Sequence, residues 1–229
     1  MILLPPAEIF LSCKMQKPME RGVFITFEGI DGSGKTTQAT FLRDFLTERG
    51  IEVIMTREPG GTRVAEKIRD ILLDRNNIGL VARAELLLYL ASRAQHTAEI
   101  IRPALEKGIW VISDRFADSS VAYQGCARGL GMEKTRELSL FATEGLVPDL
   151  TFYLEITPEE ASRRLAAQGK TLDRLEVEQK EFYLKVIEGY RWIGSQEPDR
   201  FITIDGSKSP EDVWEQIRAK IIDKFPYFM

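Results

Sequence analysis

The stretch Val23-Phe24-Ile25-Thr26-Phe27-Glu28-Gly29-Ile30-Asp31-Gly32-Ser33-Gly34-Lys35-Thr36 decides the fold. Its first five residues are apolar or β-branched and read as a buried strand. Its last eight match G-x-x-x-x-G-K-[ST]. A helical pattern follows, with Phe41, Leu42, Phe45 and Leu46 on one face and Gly50 where a helix stops. Strand, glycine loop and helix in this order form the setting in which the motif has a physical meaning. The glycines let successive backbone N–H groups turn inward around phosphate oxygens, and the helix N-terminus adds its positive end. Lys35 is placed to reach β- and γ-phosphates, and the Thr36 hydroxyl to hold Mg²⁺. Gly29, Ile30, Asp31, Gly32, Ser33, Gly34, Lys35, Thr36 and Thr37 are therefore expected to bind a nucleoside triphosphate.

Outward from this loop, short β-branched runs alternate with long helical patterns. Ile51–Met55, Ile109–Ile112, Leu150–Leu154 and Phe201–Ile204 read as further strands. Helices are expected over about 63–74 and 80–107. Two more helix starts are marked by caps. Thr157, Pro158 and Glu160 fit a capping box, and Ser209, Pro210 and Asp212 repeat the grammar. Strands separated by helices imply right-handed βαβ units. The expected fold class is α/β, a three-layer sandwich of about five parallel strands with helices on both faces.

Composition agrees and excludes several alternatives. The chain has 229 residues, 44% apolar and 29% charged, enough to bury a sizeable core. With 31 Lys+Arg against 35 Asp+Glu the net charge is −4, which argues against a nucleic-acid partner held by bulk positive charge. Two cysteines, Cys13 and Cys126, exclude a disulfide scaffold and a Cys-rich metal site. The single histidine, His96, reads as structural. No apolar run approaches the ~18–20 residues that span a bilayer, so no membrane role is expected. Residues 1–20 form a mostly apolar extension with no Lys or Arg ahead of the apolar run, expected to be poorly ordered, with Met15 and Met19 as alternative starts. Residues 21–229 are expected to form one domain in a cytoplasmic location.

A second site is needed to say what happens to the triphosphate. The guanine-reading N-K-x-D of GTPases is absent from the chain. Arg57 and Arg115 instead follow the second and third strands directly, on the side where α/β sheets bind ligands. Two guanidiniums there suit a second phosphate, because arginine grips phosphate oxygens bidentately. Asp114 ends the third strand, where a P-loop protein keeps the acid that supports Mg²⁺.

Asp114-Arg115-Phe116-Ala117-Asp118-Ser119-Ser120-Val121-Ala122-Tyr123-Gln124-Gly125 closely resembles the signature segment of thymidylate kinases. Arg57-Glu58-Pro59-Gly60-Gly61-Thr62 and Pro148–Leu154 resemble the bacterial type of that family. The resemblance runs from about Val23 to the final helix. It implies transfer of the γ-phosphoryl of ATP to dTMP, and a homodimer. It also implies residue roles. Arg57, Arg115 and Arg69 would meet the dTMP phosphate, and Glu58 would lie near the metal and phosphate region. Tyr89 would stack on the base, where the family usually has Phe, and Arg93, Ser120 and Gln124 would contact thymine. Tyr123 would pack on the deoxyribose and Asp31 would sit near the 3′-hydroxyl. The catalytic set would be Lys35, Arg115, Asp31 and an arginine from the lid. The resemblance also implies a short lid at about 163–175, with fewer arginines than the family pattern; Arg164, Lys170 and Arg174 are candidates, with Arg164 preferred. The loop Asp205–Lys208 is expected near adenine. A kinase for another nucleoside monophosphate or for a deoxynucleoside, and a P-loop switch, stand as alternatives.

Overall fold

The structure, a computed structural model, describes residues 21–77, 79–167 and 180–228. The expectations for residues 1–20, and for Lys170 and Arg174, lie outside the described residues. Five parallel strands, β1 (Phe24–Glu28), β2 (Val53–Arg57), β3 (Trp110–Asp114), β4 (Leu150–Glu155) and β5 (Phe201–Asp205), form one sheet in the order β2-β3-β1-β4-β5. The helices between them are α1 (Lys35–Thr47), α2 (Arg63–Leu73), α3 (Ala82–His96), α4 (Arg102–Glu106), α5 (Ala117–Ser120), α6 (Met132–Ala142), α7 (Pro158–Ala167), α8 (Lys180–Gln196) and α9 (Pro210–Lys224).

The sheet is covered on both faces because its strand side chains alternate. Ile25 and Phe27 of β1 pack with Leu42 and Leu46 of α1 and Ile217 of α9. Phe24, one residue out of phase, turns to the other face beside Ile101, Leu105 and Phe116. A third cluster joins Tyr153 of β4 to Ile187, Tyr190 and Ile193 of α8. Leu42 and Phe152 have no exposed surface, and burial of such a side chain contributes ~1.5–3 kcal/mol.

Several element ends shift by a residue or two, β3 to Trp110–Asp114 for example, and two differences have a clear local reason. Ile51 belongs to the end of α1 rather than to β2. Its N–H bonds to the Leu46 carbonyl across Gly50, whose φ is +75°, and it packs on the core below. The edge strand therefore starts at Val53, paired with Trp110. The long helix expected over 80–107 is one helical path with a π turn at Thr97–Ile101 between α3 and α4. Pro103 follows that turn; it has no N–H to donate, and its ring would crowd the carbonyl four residues earlier. The expected N-caps form, but the Glu160 carboxylate accepts from Arg163 and Arg164 instead of closing a box on Thr157. Glu160 N–H bonds to the Thr157 hydroxyl at 3.2 Å and Asp212 N–H to the Ser209 hydroxyl at 3.1 Å. Among the described residues no helix is long and apolar enough to cross a membrane.

Candidate active site

Strand order changes direction at β1, whose neighbours are β3 on one side and β4 on the other. Chains leaving β1 and β3 therefore part at their carboxyl ends, and a crevice opens there. A cleft of about 810 Å³ fills this position. Of the residues expected to bind ATP, dTMP or Mg²⁺, all but Gly29, Ile30 and Ser33 of the phosphate loop line it. The Asp205–Lys208 loop, expected near adenine, does not; Asp205 and Ser207 face a separate hollow beside α7 and α8. Gly32 and Gly34 have φ of +83° and +95°, which is how the loop curls and why side chains are excluded there. Lys35 Nζ lies 3.1 and 3.0 Å from the Gly29 and Ile30 carbonyls and 3.8 Å from Asp31. Burial, and then the Arg115 charge, lower its pKa from the usual lysine value. Thr36 Oγ1 donates to Asp114 Oδ2 at 2.6 Å, so one hydroxyl and one carboxylate meet at the edge of the loop.

Arg115 occupies the centre. Its φ of +72° places a non-glycine residue in the left-handed region, and the local bonds hold it there. Its N–H bonds to the Phe27 carbonyl, and its own carbonyl accepts the Ser113 hydroxyl. The guanidinium reaches Asp31 at 2.7 Å and the Gly29 carbonyl at 2.8 Å, tying β3 to the phosphate loop. Burial, the largest single influence, would lower its pKa, but Asp31 together with Tyr123, Tyr190 and Asp114 raises it well above the usual arginine value, so the group stays charged.

On the opposite wall, Arg93 is buried yet lines the cleft. It donates to Glu58 Oε2 at 2.8 Å, the Phe116 carbonyl at 2.9 Å and the Ser120 hydroxyl at 3.0 Å. Glu58 lines the cleft, yet both its oxygens have protein partners, Arg93 and His96 Nδ1 at 3.1 Å. His96 also meets the Thr56 hydroxyl at 2.7 Å and has no exposed surface, which accords with the structural reading. Arg69 donates to the Pro59 carbonyl, and Arg57, half exposed, pairs with Glu66 at 2.9 Å. From the lid side, Arg164 spans Glu160 at 2.6 Å, the Gly206 carbonyl at 2.9 Å and the Gly32 carbonyl at 3.4 Å.

Several participants were not read from the sequence. Glu28, the last residue of β1, is wholly buried and accepts from Phe116 N–H at 2.8 Å, Ser119 at 2.6 Å and Tyr190 at 2.8 Å. Burial, and then Asp118, raise its pKa to about 7. Ser119 and Tyr190 in turn contact Arg115. A carboxylate closing an apolar strand one residue before the glycine loop was the available signal. Asp118 takes a bidentate ion pair from Arg200, both bonds 2.8 Å, which nothing local in either segment predicts.

A triphosphate loop facing a wall of arginines across one cleft suits a donor nucleotide and an acceptor that already carries a phosphate. That is the arrangement a P-loop nucleoside monophosphate kinase needs. A family model described as thymidylate kinase matches residues 27–217. Thymidylate kinase of Caldanaerobacter subterraneus subsp. tengcongensis is 56% identical over 205 residues, 90% of this chain and 97% of the relative. That of Bacillus pumilus is 46% identical over 203 residues, 88% and 96%. The crystal structure of thymidylate kinase from Ehrlichia chaffeensis superposes with a TM-score of 0.72 at 34% identity, covering 88% of this chain and 98% of that one. The chain belongs to the thymidylate kinase family.

Proposed function

We infer that the chain transfers the γ-phosphoryl group of ATP to dTMP, giving dTDP and ADP. The observation that carries this is the convergence of Lys35 and Thr36 with Arg57, Arg69, Arg93 and Arg115 on one cleft, in a chain of this family. An oxygen of the dTMP phosphate attacks the γ-phosphorus in line as the bond to the β–γ bridging oxygen breaks. The nucleophile is already an anion, so no general base is required, and the work left is positioning and charge.

Lys35 and Arg164 supply positive charge on the donor side, while Arg57, Arg69 and Arg115 hold the acceptor phosphate. Arg115 touches the phosphate loop and acceptor wall together, so it sets the distance between the two substrates. Asp31 serves Arg115 and lies near the 3′-hydroxyl. Tyr89 stacks on the base, Tyr123 packs on the deoxyribose, and Arg93, Ser120 and Gln124 meet thymine. Glu58 acts by locking Arg93. The hydroxyl of Thr36 and the carboxylate of Asp114 are hard oxygen donors 2.6 Å apart, which fits Mg²⁺ shared with substrate phosphates. When bound, that ion neutralises charge on the β- and γ-oxygens. We further read the kinase, from its likeness to the family, as a single-domain cytoplasmic homodimer.

Incubation with ATP, Mg²⁺ and dTMP, followed by chromatography, tests the reading. It requires dTDP and ADP in equal amounts; ADP without dTDP would contradict it.

A further inference from the structure

Resting on the dTMP reading, we propose that Glu85 is a positioning residue that sets which base the kinase accepts, by fixing the sense of the Gln124 amide. Glu85 lies in the first turn of α3, has no exposed surface and does not line the cleft. Gln124 lies on the π turn Val121–Ala127, is nearly buried and does line it. Gln124 Nε2 donates to Glu85 Oε1 at 2.9 Å. Arg128 approaches the same carboxylate, Nε at 3.3 Å from Oε1 and one Nη at 3.4 Å from Oε2, while its guanidinium sits over the Phe182 ring.

A carboxylate paired with a guanidinium has only acceptor sites. The amide nitrogen of Gln124 must therefore face Glu85, and its oxygen the other way. Among the described residues none donates to Gln124 Oε1. The cleft is thus offered a fixed pattern: one carbonyl acceptor beside the second hydrogen of Nε2. Thymine presents the complement, an N3–H donor beside the O4 acceptor. Cytosine presents the reverse, an N3 acceptor beside an amino donor. A freely turning amide would serve either base by a half-turn. An amide held by Glu85 cannot, and cytosine would leave buried polar groups unpaired, which sites of this kind reject strongly. Uracil has the same edge as thymine, so this device does not separate dUMP from dTMP.

The test is kcat/KM for dTMP, dUMP and dCMP in the full chain and in Glu85→Gln, whose amide can either accept from Gln124 or donate to it. We expect the dTMP-to-dCMP ratio to fall about tenfold or more. The dTMP-to-dUMP ratio and KM for ATP should hold. A dTMP-to-dCMP ratio that does not change, with both acceptors slowed equally, would overturn the proposal by reducing Glu85 to a structural partner of Arg128. If Glu85→Gln does not fold, Gln124→Leu reads the same pattern: a fallen ratio is expected, and an unchanged one overturns it. Failure of the dTMP reading is separable, because there the unmutated chain would itself show no preference for dTMP.

Discussion

Lys35 and Glu28 stand at opposite ends of the same loop and are both buried, yet the fold uses them differently. The ammonium sits among carbonyls and Asp31, ready for phosphate oxygens, so Lys35→Met should lower kcat by about 10²–10³ with the fold retained. Steady-state rates with a thermal melt check this. Glu28 is a matter of protons. Its pKa rises from 4.5 to about 7 in the folded chain, with burial the largest cause. Between those values the folded chain binds the proton more tightly than the unfolded one, so stability from this group falls as pH rises. Glu28→Gln removes that loss. The gap between the unfolding free energies of the variant and the parent should shift in the variant's favour from pH 5 to pH 8, and a gap constant with pH would refute it. Lys35 was legible from sequence because its role follows from a local pattern. Glu28 was not, because its partners Phe116, Ser119 and Tyr190 arrive from 88, 91 and 162 residues away.

Elements transmit these positions through close packing. α8 lies so near the π turn of Val121–Ala127 that a Cβ on Gly189 would stand 2.8 Å from the Ala122 Cα. That approach brings Tyr190 to Glu28 and Arg115. Gly189→Ala should cost about 1–3 kcal/mol of stability by urea unfolding, through backbone overlap that no rotamer relieves. α7 carries Arg164 toward the Gly32 carbonyl from a cap that fixes its start. Arg164→Ala should lower kcat at least about tenfold while KM for dTMP holds. An unchanged kcat would move the lid role elsewhere in the chain. Helix starts such as Thr157 and Ser209 were legible because caps are local chemistry. The true start of β2 and the π turn after His96 were not, because Ile51 packing under α1 and the accommodation of Pro103 are tertiary events.

For the whole molecule, a parallel sheet with its reversal at β1 puts both substrate walls at the carboxyl ends of the central strands. This much was readable, since alternating strands and helices leave few topologies, and the residues expected around the cleft do meet there. What the pattern could not supply was the second layer, Glu58 with His96, Glu85, and Asp118 with Arg200, which holds the walls rigid from remote parts of the chain. A kinase built this way should spend ATP only when an acceptor phosphate completes the cleft. The most direct measurement is the initial rate of ADP formation from ATP and Mg²⁺ with dTMP, dUMP, dCMP, dGMP or no acceptor, side by side. Rapid turnover with dTMP, slower with dUMP, and almost none without acceptor is the predicted result. Turnover indifferent to the acceptor would contradict the account.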